Sequence, residues 1–459
     1  MKEESRLITT LEKIFWVFLY INPFLDIISG LYIYYIRGVH VLEIRTISTL
    51  GVTPSLVARM LMLVVFAAYV LLARDRHAIL TAVPIALSAA LSIGSEYLFA
   101  GGAQIFLDLQ YAARFAYNIA LLLVYTRLFS RRWGADGKDI IRALDAIAAF
   151  TLLALSLAIL IPAMAGVGYS AYADRWGYRG NRGFFYAGND ITAVLSALLP
   201  IVVARLMLME RKGHIGRTVF FALASALGGN ALLIIGSKTA FLAEMFTYGL
   251  LLIYAVAAFF RKDKHCALGY LWALGAMLGI FGVLLLLDGE LWENIMVSLG
   301  ITQILLEDEG VETALFSGRL IKLADQFAQY RSGGVLVWLF GMGRGSQEMI
   351  LEMDVFEVWL YYGVFGVAAF LWLYVKAAVD FFKALFRRRF DAMCLALIAS
   401  IGMVAGYLII AGHVLFSVTS GFYFIFAIAY SRAYFAHEAG DAALWREGEG
   451  LLGWRKKKA

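Results

Sequence analysis

The chain has 459 residues, 62% hydrophobic and only 16% charged, with a mean hydropathy of +0.76. Soluble domains are nearer half apolar and about a quarter charged, so a string of ordinary soluble domains is excluded and a chain embedded in a bilayer is indicated. The net charge of +6 sits mostly beside apolar runs, which makes it a signal of membrane orientation; no nucleic-acid partner is expected.

A membrane span needs about 20 largely apolar residues. Twelve such stretches follow in chain order, roughly 14–36, 55–73, 78–100, 105–129, 140–166, 188–209, 217–236, 238–260, 267–287, 355–383, 391–412 and 418–436. The expected fold is all-α, one polytopic membrane domain over residues 1–459. The first run is preceded by KEESRLITTLEK with no small-residue cleavage site after it, so it reads as an uncleaved span. Runs seven and eight meet at IGSKT, residues 235–239, which implies a tight antiparallel hairpin. Cys266 and Cys394 read as reduced apolar fillers. No GxxxxGK[ST] phosphate loop and no Cys/His spacing suited to a metal appears, so no cofactor is expected.

Alternate loops carry the basic clusters Arg131, Arg132, Lys138; Arg211, Lys212; Arg261, Lys262, Lys264; Arg387, Arg388, Arg389; and the tail RKKK at 455–458. The positive-inside tendency therefore places both termini in the cytoplasm. Four segments fall outside: 167–189, the IGSKT turn, the long segment 288–354, and AGHVLFS at 411–417. Within the long segment, 294–309 and 317–334 read as short helices. In the second, Leu320, Leu323, Phe327 and Tyr330 recur at helical spacing, Ser317 fits an N-cap, and Gly333–Gly334 fits a stop. Such an amphipathic helix lies on the membrane surface or roofs a cavity.

Ionisable groups at membrane depth cost at least a few kcal/mol and face partners or cavities. Arg59, Asp108, Arg114 and Glu244 are of this kind, as is Lys238 at the outer turn. For Arg59, Arg114 and Glu244 two readings stand open, structural ion pairs or a polar site. Asp26, after Pro23, reads as a kink or packing residue. The segment GYRGNRGFFYAGND, 177–190, together with Arg175, brings Arg179 and Arg182 among glycines and aromatics just before a helix start. Guanidinium groups beside exposed helical N–H groups suit phosphate oxygens. The other reading is a solvated loop with Asn189 as N-cap.

Several of these features, in this order, resemble the O-antigen ligase and polymerase family. They are GNRGFFYAGND running into a helix; GSKTA at 236–240; a long outer segment with SGR at 317–319 and GMGRG at 341–345; and YYGVFG at 361–366. The resemblance implies a metal-independent glycosyltransferase whose donor and acceptor are undecaprenyl-pyrophosphate-linked oligosaccharides, working on the outer face of a bacterial cytoplasmic membrane beside membrane lipid, with a flippase and a chain-length regulator as protein partners. It implies that Arg182 or Arg179, with Lys238, binds the diphosphate; Lys238 stands where the family more often has Arg and offers charge without a fork. Arg319, Asn189 and Arg114 join the substrate-binding set.

Ligases of the family typically carry a His-Asn pair before the helix that follows the long loop. Here the sequence is Glu352-Met353-Asp354. A carboxylate then replaces the imidazole as base, with Asp354 first, Glu352 second, and Glu357 one turn on to orient it; burial at an apolar mouth would raise its proton affinity. Alternatively these acids only cap the helix. His413 is a further candidate base, or a packing residue. The missing pair favours a polymerase over a ligase. A flippase is the rival from another class.

Overall fold

The computed structural model describes residues 2–40, 52–130, 138–171, 180–209, 214–308, 310–345, 347, 350–387, 390–437 and 451–452. Among them helices dominate and no strand element occurs; one isolated bridge joins Ser170 and Asn181. In chain order the helices are α1 Lys2–Leu31, α2 Pro54–Leu72, α3 Arg76–Ala100, α4 Ile105–Phe129, α5 Lys138–Met164, α6 Gly188–Leu208, α7 Ile215–Ile235, α8 Lys238–Phe260 and α9 Lys264–Leu287. They continue with α10 Leu291–Asp308, α11 Gly310–Phe316, α12 Arg319–Ser332, α13 Gly334–Phe340, α14 Asp354–Phe386, α15 Ala392–Ile410 and α16 Ser420–His437.

Each of the twelve expected spans is a helix. Ten are long and apolar enough to cross a membrane. The other two are α4, which carries Asp108, Arg114 and Arg127, and α16, whose 18 residues include Arg432 and His437. Arg127 lies 3.7 Å from the Asp75 carboxylate, and the surroundings of Asp108 and Arg114 are described below.

Helix α6 is the centre of the bundle, packed by α5, α7, α8, α9, α15 and α16. Sixteen of its 21 residues are buried, and Ala193, Ser196, Ala197 and Ala204 let neighbouring backbones approach closely. The hairpin between α7 and α8 is built by two local signals. Gly236 leaves the first helix at φ +67°, and Ser237 caps the second through its hydroxyl, which accepts from Ala240 N at 3.2 Å.

Helix α14 is 33 residues long but broken at Gly363 (φ +65°, ψ −170°), a conformation essentially confined to glycine. The short α13 lies directly against the break: a Cβ on Gly363 would come 2.5 Å from the Leu339 carbonyl carbon. Met342 N and Gly343 N donate to Leu360 O and Tyr361 O at 2.9 and 3.1 Å, and the hydroxyls of Ser92 and Ser95 donate to Tyr361 O and Gly341 O. The YYGVFG step therefore marks a break whose freed backbone groups are satisfied by α3 and by the chain after α13.

Helix α12 forms on the expected face. Tyr330 is buried, its hydroxyl donates to Trp338 O at 2.8 Å, and Leu320, Leu323 and Phe327 pack on the core, while Ile321 is exposed. Ser317 is not its N-cap. That position is Gly318 at φ +78°, with no side-chain cap. Both cysteines are free and buried.

Candidate active site

The segment 411–420, between α15 and α16, is braced from several directions. The Asp354 carboxylate at the head of α14 accepts from the backbone N–H groups of His413, Val414 and Leu415 at 2.9, 2.6 and 2.8 Å. Asn118, in the middle of α4, donates to the carbonyls of Leu415 and Ser417 at 2.8 and 2.9 Å. Thr419 donates to Asp26 at 2.8 Å and receives Arg59 at 2.9 Å. The amide of Asn189 reaches Ala411 O at 3.4 Å. A chain turn that would otherwise leave many buried backbone groups unpaired is thus held by side chains of five different helices. It presents His413 at φ +65°, a left-handed conformation rare for residues other than glycine.

Opposite His413 stands Glu352, also left-handed at φ +62°. Its carboxylate takes Arg319 Nε and Nη2 at 3.0 and 2.5 Å on one oxygen and lies 3.6 Å from His413 Nε2 on the other. Its own N–H donates to Glu357 Oε1 at 2.8 Å. Burial pushes the Glu352 carboxyl upward, but the hydrogen bond and charge of His413, followed by Arg319, outweigh it and bring the pKa down to about 2. Burial pushes the His413 imidazole downward, and the hydrogen bond to Glu352 with the charges of Glu352, Glu357 and Asp190 raises it to about 9. The raised proton affinity expected for Glu352 is therefore reversed by its two cationic neighbours.

Among the acids at this mouth, Asp354 and Glu357 are fully buried, whereas the Glu352 side chain keeps 33% exposure. Asp354 is closed off by its three amides. Glu352 is the carboxylate that faces open space, with Arg319 and His413 as neighbours.

The second half of the site is cationic. Arg182 follows a turn in which its N–H donates to Tyr169 O at 3.0 Å, and a Cβ on Gly188 would lie 2.9 Å from its Nη1. Its guanidinium thus sits over the first turn of α6. The N-cap of that helix is Ala187, which has no side chain able to cap it; Asn189 is the second helical residue and not the cap. Arg182 Nε is buried with no hydrogen-bond partner, and burial draws the group down to about 10. Arg114, on α4, has a buried Nε without a partner and lies over the Tyr111 ring at 5.6 Å. Among the described residues neither guanidinium forms an ion pair. The GSKTA turn adjoins this half, because Asn181 N donates to Ile234 O at 2.9 Å. Lys238 begins α8 at that turn.

The structure separates the other intramembrane charges. Arg59 is a structural pair: it holds Asp26 with two contacts of 2.7 Å and Asn22 with 2.9 and 3.1 Å. Asp26 is accordingly an ion-pair partner, not simply a kink residue. Asp108 accepts from Arg344 N and Gly345 N at 2.7 and 3.0 Å and so shapes the GMGRG loop. Glu244 is buried with no ion pair among the described residues. Arg179 lies outside the described residues.

Sequence reasoning did not pick out Asn118, Ser420 or Asp190 as site residues. Asn118 had one legible signal, a carboxamide inside an otherwise apolar run. Asp190 lies next to Asn189 on the first turn of α6, and Ser420 Oγ stands 2.9 Å from its Oδ1.

The profile of a family described as O-antigen ligase like membrane protein matches residues 9–291 and 300–438. With its helical bundle and braced polar end, this chain is a multi-pass membrane protein of the ligase and polymerase type. It belongs to the O-antigen ligase-like membrane protein family. No curated protein and no solved structure matches it.

Proposed function

We propose that this protein is a polysaccharide polymerase: a metal-independent glycosyltransferase that joins undecaprenyl-pyrophosphate-linked oligosaccharide repeat units on the outer face of the cytoplasmic membrane. The observation that carries this reading is a pair of guanidinium groups that meet no carboxylate among the described residues, Arg182 over the uncapped head of α6 and Arg114 on α4. Each has a buried Nε with no hydrogen-bond partner among the described residues, and a diphosphate at a helix N-terminus offers the acceptors and the charge that such groups favour. Lys238 and Arg319 add further positive charge.

In the proposed reaction the acceptor hydroxyl oxygen bonds to the anomeric carbon of the donor glycan. The bond from that carbon to the phosphate oxygen breaks, and undecaprenyl pyrophosphate leaves with its charge held by Arg182, Arg114 and Lys238. The hydroxyl proton passes to Glu352, the exposed carboxylate, in place of Asp354. His413 and Arg319 keep Glu352 ionised before transfer. A diphosphate that draws Arg319 toward itself would loosen one of these contacts and raise the proton affinity of Glu352 as the proton arrives. The orientation follows from the basic clusters of the opposite loops.

The test is purified protein in vesicles with a lipid-linked repeat unit. A ladder of products that persists with a chelator is expected, and Arg182→Ala raises the donor KM more than it lowers kcat. A single transfer to a different acceptor favours the ligase alternative. Movement of the lipid across the bilayer with no new glycosidic bond overturns the proposal in favour of a flippase.

A further inference from the structure

Glu352 is the carboxylate that takes the acceptor's proton in the proposed reaction, and its backbone is held in an uncommon shape. It is left-handed at φ +62°, and His413 across from it is left-handed at φ +65°. Residues other than glycine rarely keep this conformation without outside support. Two supports act on Glu352. One is Glu357, whose Oε1 accepts from Glu352 N at 2.8 Å. The other is Gly412, at φ +57°, where a Cβ would overlap the Glu352 carbonyl carbon and crowd Met353 N. The peptide after Glu352 therefore lies directly against a bare α-carbon, one residue before His413.

The Glu357 contact is not ordinary helix capping. A helix start needs acceptors for the N–H groups of its own first turn, and a capping box joins the cap to the third helical position. Helix α14 begins at Asp354 with Met353 as its cap. Glu352 lies outside it, so the Glu357 carboxylate reaches back five residues and fixes the chain ahead of the helix. Glu357 is itself fully buried and anchored in the first turn, where its N–H donates to Met353 O at 2.9 Å.

We infer that Glu357 is a positioning residue: it holds the Glu352 turn against Gly412 and so aims the Glu352 carboxylate at His413, Arg319 and the acceptor hydroxyl. The inference rests on the transfer reaction proposed above and assigns Glu357 no proton of its own. With the Glu352 N–H released, the turn relaxes toward an ordinary extended shape, and the carboxylate leaves the line between Arg319 and His413. The charged groups facing Glu352 are His413 and Arg319. Those facing Glu357 are Asp354 on the same helix, His413 on the 411–420 segment and Arg344 on the GMGRG loop, with Tyr111 on α4 and Tyr361 and Tyr362 on α14. Asp190 on α6 also faces His413.

The test compares Glu357→Gln with Glu357→Met in the full-length protein in vesicles. Both remove the charge, so any direct effect of that charge on Glu352 or His413 is common to them. Gln keeps an oxygen that can accept the Glu352 N–H, and Met keeps the length of the side chain without it. With lipid-linked repeat unit, Glu357→Met is expected to lose about a hundredfold in kcat, the scale of a 1 Å misplacement, with donor KM within about threefold, and Glu357→Gln to stand at least about tenfold above it in kcat. The second readout needs no turnover. NMR titration of 15N-histidine-labelled protein, with the His413 signal identified by its loss in His413→Gln, should show His413 keeping its proton to higher pH in the Gln variant than in the Met variant, by about one unit. Equal kcat in the two variants, or equal His413 titration, overturns the inference; a lower melting temperature of Glu357→Met without these differences marks a structural support alone. The titration is read without substrate, so it fails or holds separately from the assignment of the reaction itself.

Discussion

Three backbone N–H groups converge on Asp354, and two cationic side chains converge on Glu352, two residues earlier. Asp354→Asn leaves one oxygen where two accepted, and an unpaired buried N–H costs about 1–3 kcal/mol. This substitution is expected to lower the melting temperature and folded yield in detergent. Glu352→Gln should lower the melting temperature less than Asp354→Asn does, since a partly exposed pair contributes about 1 kcal/mol or less, while glycosyl transfer is abolished. Thermal unfolding measured alongside the product ladder separates the two. The same neighbours set a pH dependence. His413 binds its proton more tightly when folded, at about 9 against the usual 6.5, so its stabilisation is complete below about pH 6.5 and lost as pH rises through 9. Glu352, depressed to about 2, contributes above about pH 4.5 and loses its contribution as pH falls through 2. Melting temperature should therefore decline between pH 6.5 and 9, and His413→Gln should flatten that decline.

Among the elements, α14 and α13 depend on one another through Gly363. An alanine there meets both a forbidden backbone region and the Leu339 carbonyl. Strain of this kind costs about 1–3 kcal/mol before any clash, so Gly363→Ala should lower the melting temperature markedly, whereas Gly402→Ala, in a helix with open space at that position, should not. The glycine itself was legible in YYGVFG, but its role was not, because the contact that requires it comes from residues 339–341. The same limit explains the acids. Their place at the head of a span was readable from the sequence. That one would bind amides about sixty residues later, and another an arginine on α12, depends on how apolar helices rotate about their axes, and a helix that is apolar all round carries no periodic mark of its rotation. Arg59 and Asp26 illustrate it again: both were visible as misplaced charges, yet their pairing across two helices was not.

At the scale of the whole molecule, composition and loop charge were enough to anticipate an all-helical membrane bundle, and the order of short motifs was enough to anticipate its family. The site's two halves come from segments spread over most of the chain: α4, the 182–190 turn, α12, the head of α14 and the 411–420 segment. The break at Gly363 has a mechanical consequence for this assembly. Residues 354–362 are tied to the 411–420 segment and to the chain after α13, while 364–386 form a second helical rod. A break of this kind separates the lean of the second rod from the placing of the acids, because a continuous helix would carry any change of tilt from one end to the other. Turnover should accordingly vary little between vesicles of short-chain and long-chain lipids, and a variant stiffened at the joint should become sensitive to that choice.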